Sequence, residues 1–425
     1  MRFIPRFECH FNFNFLQYST IESEHKVARK QTFSTISTPP IIVSTSFSII
    51  KGTMYVSALN LTNFRNYERL YFEPASRVNV LFGRNAQGKS AILEAIYLLA
   101  TSKSHRTWRD LDLIKIGEDA CRVCGEVRRE TREDATLEVI LSRSEGKSVR
   151  INKVKHAKIS DLIGQLNAVI FSSMDIEMVR GEPLLRRRFL NLEISQLSPQ
   201  YAYSLARYKR VLDQRNAVLK ELKLAGGNSG LLEAWDTQLV QYGATVVFRR
   251  WEFVEKLGKI AGNIHSLLTD GAESLSVVYK PGVELGPAES EREIAEAMKA
   301  ALSVRRAADI ARGSTSIGPH RDDVLISINS VPARDYGSQG QQRTAAIALK
   351  LAEIDLMTES TGEPPVVLLD DVMAELDDIR RAQVFGLTGE KCQTLITTTN
   401  LADLGDNLRK VAALFEVAGG TVTRV

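Results

Sequence analysis

The chain has 425 residues, 44% hydrophobic and 25% charged, with 55 Lys and Arg against 51 Asp and Glu. These are the proportions of an ordinary globular protein, and they exclude wholesale disorder, a collagen repeat or a small disulfide-bonded scaffold. No apolar run approaches the ~18–20 residues that a membrane-spanning helix needs, and four scattered cysteines make no disulfide framework, so a cytoplasmic, reducing setting without a membrane partner is expected. At roughly 150 residues per domain, two or three lobes are expected, and a net charge of +4 is weak evidence for a polyanionic partner.

Residues 1–53 stand apart. They hold seven of the 16 Phe and 13 Ser or Thr, with six basic residues and three acids (Glu8, Glu22 and Glu24), and no periodic pattern persists through them. Those acids count against a transit peptide, and Ser and Thr interrupt the best apolar stretch, Pro39 to Ile50, which counts against a signal peptide. Met54, where a strand-like alternation begins, is the expected natural start, with the extension a mis-called start or a disordered, dispensable leader. From Met54 onward there are 49 basic and 48 acidic residues, a net of +1.

The run from Arg77 to Phe82 reads as a buried strand. It enters Gly83-Arg84-Asn85-Ala86-Gln87-Gly88-Lys89-Ser90 and then a strong helix former, Ala91 to Leu99. This is GxxxxGK[ST] in its strand–loop–helix context. The glycines let backbone N–H groups curl around a phosphate beside the positive end of the helix. Lys89 would reach the β- and γ-phosphates of a nucleotide, and the Ser90 hydroxyl would ligate Mg²⁺.

From Cys121 to Phe171, short apolar runs separated by charged turns predict an antiparallel meander. Cys121 and Cys124 form a lone CxxC that a strand would point to opposite faces, so no metal site is expected there. From Arg186 to about Leu268 the period becomes helical. Leu205, Tyr208, Leu212, Leu219 and Leu222 lead to a breaker at Gly226–Gly230, and Leu232, Trp235, Leu239, Tyr242 and Val246 follow on one seam. This predicts an antiparallel helical hairpin of about three heptads each way. The densest basic region is Arg180 and Arg186 to Arg188, with Lys209, Arg210 and Arg215. His320 sits in a turn entering the strand Val324–Ile328, as a packing or hydrogen-bonding residue.

Towards the end, Ser338-Gln339-Gly340-Gln341 opens a breaker-free helix, giving a second anion site from a hydroxyl, a close-approach glycine and exposed N–H groups. About 30 residues later Val366–Leu369 reads as a buried strand ending in Asp370-Asp371. The first acid would hold Mg²⁺, directly or through water, and the second would polarise an attacking water. About 280 residues separate Lys89 from Asp370, too many for a simple single-domain core. The layout resembles that of ABC-type ATPases, in which the serine motif of one subunit completes the phosphate site of another. Asp377 would then lie at the subunit boundary, with Thr397 as a γ-phosphate sensor.

From Met54 on, the chain closely resembles the RecF family of SMC-like ABC ATPases. The resemblance is carried, in order over about 370 residues, by Leu61-Thr-Asn-Phe-Arg-Asn-Tyr67, the Gly83–Ser90 loop, Leu184-Leu-Arg-Arg-Arg-Phe-Leu190, Glu193-Ile-Ser-Gln-Leu-Ser-Pro199, Gln214-Arg-Asn216, Gly318-Pro-His-Arg-Asp-Asp323, Gly337-Ser-Gln-Gly-Gln-Gln-Arg343 and Leu368-Leu-Asp-Asp-Val372. Departures are Ser90 where Thr is commoner, Asn191 in place of Asp, and Phe171-Ser-Ser-Met-Asp175 in place of Phe-Ser-Pro-Glu-Asp.

The resemblance implies an α/β fold: a P-loop ATPase head with an antiparallel β-subdomain and an inserted helical lobe. Its expected divisions are 54–180 and 300–425 for the two halves of the head and 181–299 for the lobe. It implies ATP and Mg²⁺ as cofactors, with Lys89, Asp371 and Ser338 catalytic. Residues Gly83 to Ser90 with Ser338, Gly340 and Gln341 would bind nucleotide, and Ser90 and Asp370 the metal. It further implies an ATP-dependent homodimer, and slow, DNA-stimulated hydrolysis that releases DNA. Duplex DNA and single-strand/double-strand junctions are the implied substrate, with Arg186, Arg187 and Arg188 on phosphates. RecR and RecO are the implied partners in loading the recombinase RecA. The alternatives are an ATP-gated DNA-binding scaffold with negligible turnover, or the head of another SMC-like ATPase.

Overall fold

Strands come first. In the computed structural model, β1 (Met54–Phe64) and β2 (Tyr67–Phe72) form a hairpin, and β3 (Val78–Phe82) leads through the glycine-rich loop into α1 (Lys89–Thr101). The structure describes residues 53–425 apart from 227, 229, 287, 374–377 and 389–390. The expected leader and Asp377 therefore lie outside the described residues. A bulge between Val56 and Ala58 shifts the register of β1 by one residue, which is why its buried set runs Met54, Val56, Ala58, then Leu59 and Leu61.

The meander follows as β4 (Ala120–Arg129), β5 (Ala135–Ser142), β6 (Gly146–Ile151) and β7 (Val154–His156). With the first hairpin it makes a six-stranded antiparallel sheet in the order β2-β1-β4-β5-β6-β7. Cys121 points into the core and Cys124 away from it, as strand alternation requires. The next run, β8 (Ala168–Ser172), was expected to extend the meander. Instead it pairs in parallel with a strand nearly 200 residues later. Apolar on both faces, it belongs in a covered sheet.

Four helices then carry the chain away from the strands: α2 (Ile176–Arg180), α3 (Pro183–Leu197), α4 (Pro199–Ala225) and α5 (Leu231–Leu268). Ser198 caps α4 by accepting from Tyr201 N–H. The predicted hairpin is α4 against α5, sealed by Leu219, Leu222, Leu232, Leu239 and Val246. β9 (Leu275–Lys280) and α6 (Glu291–Arg312) follow. α6 runs straight through residues 299 and 300, where the sequence placed a domain boundary, because Ile294, Met298 and Leu302 keep one unbroken buried face. Arg215 of α4 is fully buried between Asp236 of α5 and Asp309 of α6, at 2.6 and 2.9 Å, and fastens the three helices together.

The second half of the head is β10 (Asp323–Ile328), β11 (Val331–Pro332), α7 (Ala333–Tyr336), α8 (Gln339–Thr361), β12 (Val366–Asp370), α9 (Asp378–Thr388), β13 (Thr394–Thr398), α10 (Gly405–Val411), β14 (Ala413–Ala418) and β15 (Thr421–Arg424). β11-β10-β9 form a small sheet, so the inserted lobe is tied to the head by backbone pairing. The main sheet runs β15-β14-β3-β13-β12-β8, parallel except for the β14–β15 hairpin. In β12, Val366 and Leu368 face the core under the antiparallel sheet, whereas Val367 and Leu369 face the core under α5 and α8. Burial on both faces explains why this strand reads as continuous Val and Leu rather than alternating. Arg129 at the end of β4 and Glu363 before β12 form a buried pair at 2.6 Å that joins the two sheets.

Candidate nucleotide site

The carboxyl ends of β3, β13 and β12 lie side by side, with Phe82 opposite Thr398 and Thr397 opposite Asp370. This sheet edge is where open α/β folds place ligands. The loop leaving β3 needs two glycines for steric reasons. Gly83 has φ +145° and a Cβ there would stand 2.3 Å from the Val417 carbonyl, while Gly88 has φ +111° and a Cβ would press on the Tyr67 ring and hydroxyl. Arg84, Asn85 and Ala86 are exposed at the tip. Asn66 donates to the Gln87 carbonyl at 3.1 Å, and Gln87 accepts from Gly419 N–H at 2.8 Å. The motif LTNFRNY thus buttresses the loop from the β1–β2 turn.

Lys89 is buried, and its ammonium donates to the carbonyls of Gly83 and Arg84 at 2.8 and 3.0 Å. Burial lowers its pKa, and Asp371 and Asp370 partly offset that. For Asp370, burial alone would raise the carboxyl, but contacts from His105, Ser90 and Thr397 prevail and hold it below its usual range. Asp371 is exposed in a left-handed conformation (φ +54°), and its N–H donates to Thr397 Oγ1 at 2.8 Å. A cavity of about 580 Å³ opens over this group, lined by Asn85, Ala86, Gly88, Lys89, Ser90 and Asp371. Ser90 and Asp370 offer two hard oxygen donors at one corner. No cluster of three or more acidic, His or Cys ligands occurs among the described residues. Such a corner suits Mg²⁺, which takes few protein oxygens and completes its shell with phosphate and water.

Three further residues shape the site and carried no signal in the sequence that assigned them a role. Arg65 and Arg106 line the cavity wall. Arg65 clamps Glu94 through two bonds of 2.8 and 2.6 Å, and Glu94, wholly buried in α1, also accepts from Ser104. His105 packs beside Asp370. Arg65 lies inside the LTNFRNY motif, but His105 and Arg106 lie in a loop whose relation to β12 only the fold reveals.

Ser338 caps α8, accepting from Gln341 N–H at 3.2 Å while Gln341 Oε1 accepts from Ser338 N–H at 2.9 Å. Gln341 also donates to Glu273 at 2.8 Å. Ser338 and Gly340 are exposed and do not line the cavity over Lys89. The Ser338 cap and the Gly83–Ser90 loop therefore do not share this cavity.

The predicted DNA-contacting arginines need correction. Arg186 is only 4% exposed, bound to Asp323 at 2.6 Å and to the Gly181 carbonyl, so it cannot meet a phosphate. Arg187 donates to the Asp322 carbonyl, and Arg188 donates to Ser104 O and lies 3.9 Å above the Trp108 ring. Both are half-buried by these contacts. A different basic surface stands free. Residues 146–160, spanning β6 and β7, hold five Lys or Arg and no acid. Lys153, Lys155 and Lys158 there are exposed. Lys158 and Arg207 of α4 lie 5.8 and 5.3 Å from the Tyr203 ring, so this surface crosses from the β-subdomain to the helical lobe. His320, as expected, is a hydrogen-bonding residue, joined to Tyr208 at 2.6 Å and to the Thr315 carbonyl.

The family model for the RecF/RecN/SMC N-terminal domain matches residues 55–423. The DNA replication and repair protein RecF of Pediococcus pentosaceus is 41% identical over 370 residues, which covers 87% of this chain and 98% of that protein. The chain belongs to the RecF family. RecF of Bacillus cereus is 40% identical over 373 residues, with the same coverage. Solved structures of the recombination mediator protein RecF in the RecFOR pathway, with ATP and with ATPrS, are both similar at a TM-score of 0.81 and 35% identity, covering 88% of this chain and 98% of theirs. The expected fold, a RecF-type α/β ATPase head with an inserted helical lobe, is the one observed. Among the described residues no helix is long and apolar enough to cross a membrane.

Proposed function

We propose that this chain is an ATP-dependent DNA-binding protein of recombinational repair and replication maintenance, acting in the cytoplasm through ATP-driven dimerisation. The observation that carries the reading is the meeting of Lys89 and Ser90 with Asp370 and Asp371 on one sheet edge, while Ser338 and Gly340 stay exposed elsewhere. Each chain thus holds half of a phosphate site and offers the other half outward. Two copies closing head to tail would place Ser338, Gly340 and the N-terminus of α8 on the γ-phosphate held by the partner's loop. Lys89 would leave its loop carbonyls for the β- and γ-phosphates.

Ser90 and Asp370 would hold Mg²⁺, which supplies charge neutralisation and orientation of the phosphates. Asp371 would orient and deprotonate the attacking water from the cavity side. Turnover is expected to be slow and DNA-stimulated, because hydrolysis times the opening of a clamp. The surface of Lys153, Lys155, Lys158, Tyr203 and Arg207 is the better candidate for DNA phosphates than Arg186 to Arg188, since its cations have no acidic partner among the described residues. Kinship with RecFOR-pathway proteins supports a DNA substrate in that context; we extend this to duplex DNA and single-strand/double-strand junctions, with RecO and RecR as partners in loading RecA.

Phosphate release by the full chain, with and without gapped DNA, tests the reading. DNA-stimulated release in the wild type that disappears in Lys89→Met supports it. ATP-gated DNA binding without phosphate release would leave the scaffold reading in its place.

A further inference from the structure

Asp370 has a neighbour that neither the sheet nor the phosphate loop supplies. His105 lies in the loop after α1, and its side chain is only 9% exposed. Its Nε2 stands 3.6 Å from Asp370 Oδ2. Both ring nitrogens are buried and neither has a hydrogen-bond partner. His156, His265 and His320 each engage a nitrogen with a carboxylate, hydroxyl or carbonyl, so His105 is alone among the described histidines in leaving both unused.

The loop around it is firmly built. Tyr97 of α1 meets the imidazole edge-on, with ring centroids 5.7 Å apart and an interplanar angle of 88°. On one side Ser104 donates to the buried Glu94, and on the other the Arg106 N–H donates back to Ser104 Oγ at 2.9 Å. Arg188 donates to the Ser104 carbonyl at 2.5 Å. A ring held this tightly beside a carboxylate, with no bond of its own, is placed for a contact that the closed site completes.

We propose that His105 is a positioning residue for Asp370, donating Nε2–H to Oδ2 so that the carboxylate keeps one orientation toward the divalent cation. Thr397 already holds the other oxygen, at 3.0 Å from Oδ1. One held oxygen leaves the carboxylate free to swing, whereas two fix its plane. Closing the gap from 3.6 Å to a charge-assisted hydrogen bond needs a movement of about 0.8 Å. This inference rests on the reading of Asp370 as a metal ligand, and it assigns His105 no contact with nucleotide.

The test uses the full chain and reads metal binding separately from turnover. His105→Leu keeps apolar bulk without a donor, and His105→Gln returns an amide donor near the place of Nε2. Nucleotide affinity is measured in EDTA with a fluorescent ATP analogue, and Mn²⁺ affinity by electron paramagnetic resonance with a non-hydrolysable analogue present. The expected result is unchanged metal-free nucleotide affinity in both variants. Mn²⁺ affinity should fall by about 10–100-fold in His105→Leu, with recovery in His105→Gln to within about threefold of wild type. Unchanged Mn²⁺ affinity in His105→Leu, or no recovery in His105→Gln, would overturn the proposal. If His105→Leu does not fold, His105→Asn, whose amide falls short of the Nε2 position, replaces it with the same expected loss. Asp370→Asn serves as the control. If it leaves Mn²⁺ affinity intact, the metal-ligand reading itself fails, whatever the His105 variants do.

Discussion

The hydroxyl of Thr397 donates to Oδ1 of Asp370 across 3.0 Å, joining the ends of two parallel strands, and Thr397 Oγ1 in turn accepts the Asp371 N–H at 2.8 Å. Thr397 is fully buried, so it holds the acid pair rather than meeting a phosphate directly as a sensor would. Thr397→Val keeps the shape and removes both bonds, leaving the Asp371 N–H without its partner. Stability should fall by about 1–3 kcal/mol in denaturant unfolding. Phosphate release should drop at least tenfold while nucleotide affinity changes little, because Lys89 and the loop are untouched.

Lys89 is held in a buried position that burial makes unfavourable for its charge. Its folded pKa is depressed below the ordinary lysine value, so the ammonium weakens the nucleotide-free fold at every pH where it stays protonated. Lys89→Met should therefore raise the melting temperature of the nucleotide-free protein, and it should abolish the further rise that ATP gives the wild type. Differential scanning fluorimetry with and without ATP reads both effects.

Charge reversal separates the two basic regions. Lys153→Glu, Lys155→Glu and Lys158→Glu together should weaken duplex binding and flatten its dependence on salt, each lost phosphate contact removing about 0.9 from the slope of log affinity against log salt. The fold should be unaffected, since all three side chains are exposed. Arg186→Glu should instead destabilise the protein, because it sets a new acid against Asp323 in a buried place. Fluorescence anisotropy over a salt series, alongside thermal melts, distinguishes the two results.

That contrast shows what a linear sequence conveys. The phosphate loop and the acid pair were readable because each is a local pattern of strand, turn and helix that admits few other uses. The helical hairpin was readable because Leu212 and Leu219 before the glycine breaker, and Leu232 and Leu239 after it, keep a seven-residue spacing that a seam explains. Arg186 and Arg215 look like any exposed arginines in a basic stretch. Their partners Asp323 and Asp309 lie 137 and 94 residues away, and only the fold brings them together. β8 was assigned to the wrong sheet for a related reason: its continuous apolar run marks a strand covered on both faces but does not say which strand it pairs with. His105, lone and aperiodic, becomes meaningful only beside Asp370.

Glu363 sets a pH dependence. Burial would raise its carboxyl, but hydrogen bonds from Thr131 and Arg129 outweigh that and hold it below the usual glutamate range. A depressed carboxyl contributes stability above its unfolded pKa, about 4.5, and loses it as pH falls through the folded value. Glu363→Gln leaves Arg129 buried without its countercharge and should cost about 3–5 kcal/mol at pH 7. The gap between variant and wild type should narrow as the pH drops below 4.5, which urea midpoints at pH 7 and pH 4 would show.

The composite site is tested most directly by sedimentation velocity of the wild type and Ser338→Arg, each with and without ATP and Mg²⁺. Ser338 is exposed and outside the cavity over Lys89, so the substitution should cost only the helix cap, about 1 kcal/mol, and spare nucleotide binding to the monomer. The wild type should sediment as a dimer only with ATP, and Ser338→Arg as a monomer under every condition. An Ser338→Arg chain that still dimerises with ATP, or a monomer that hydrolyses ATP at the wild-type rate, would contradict a phosphate site shared between two copies.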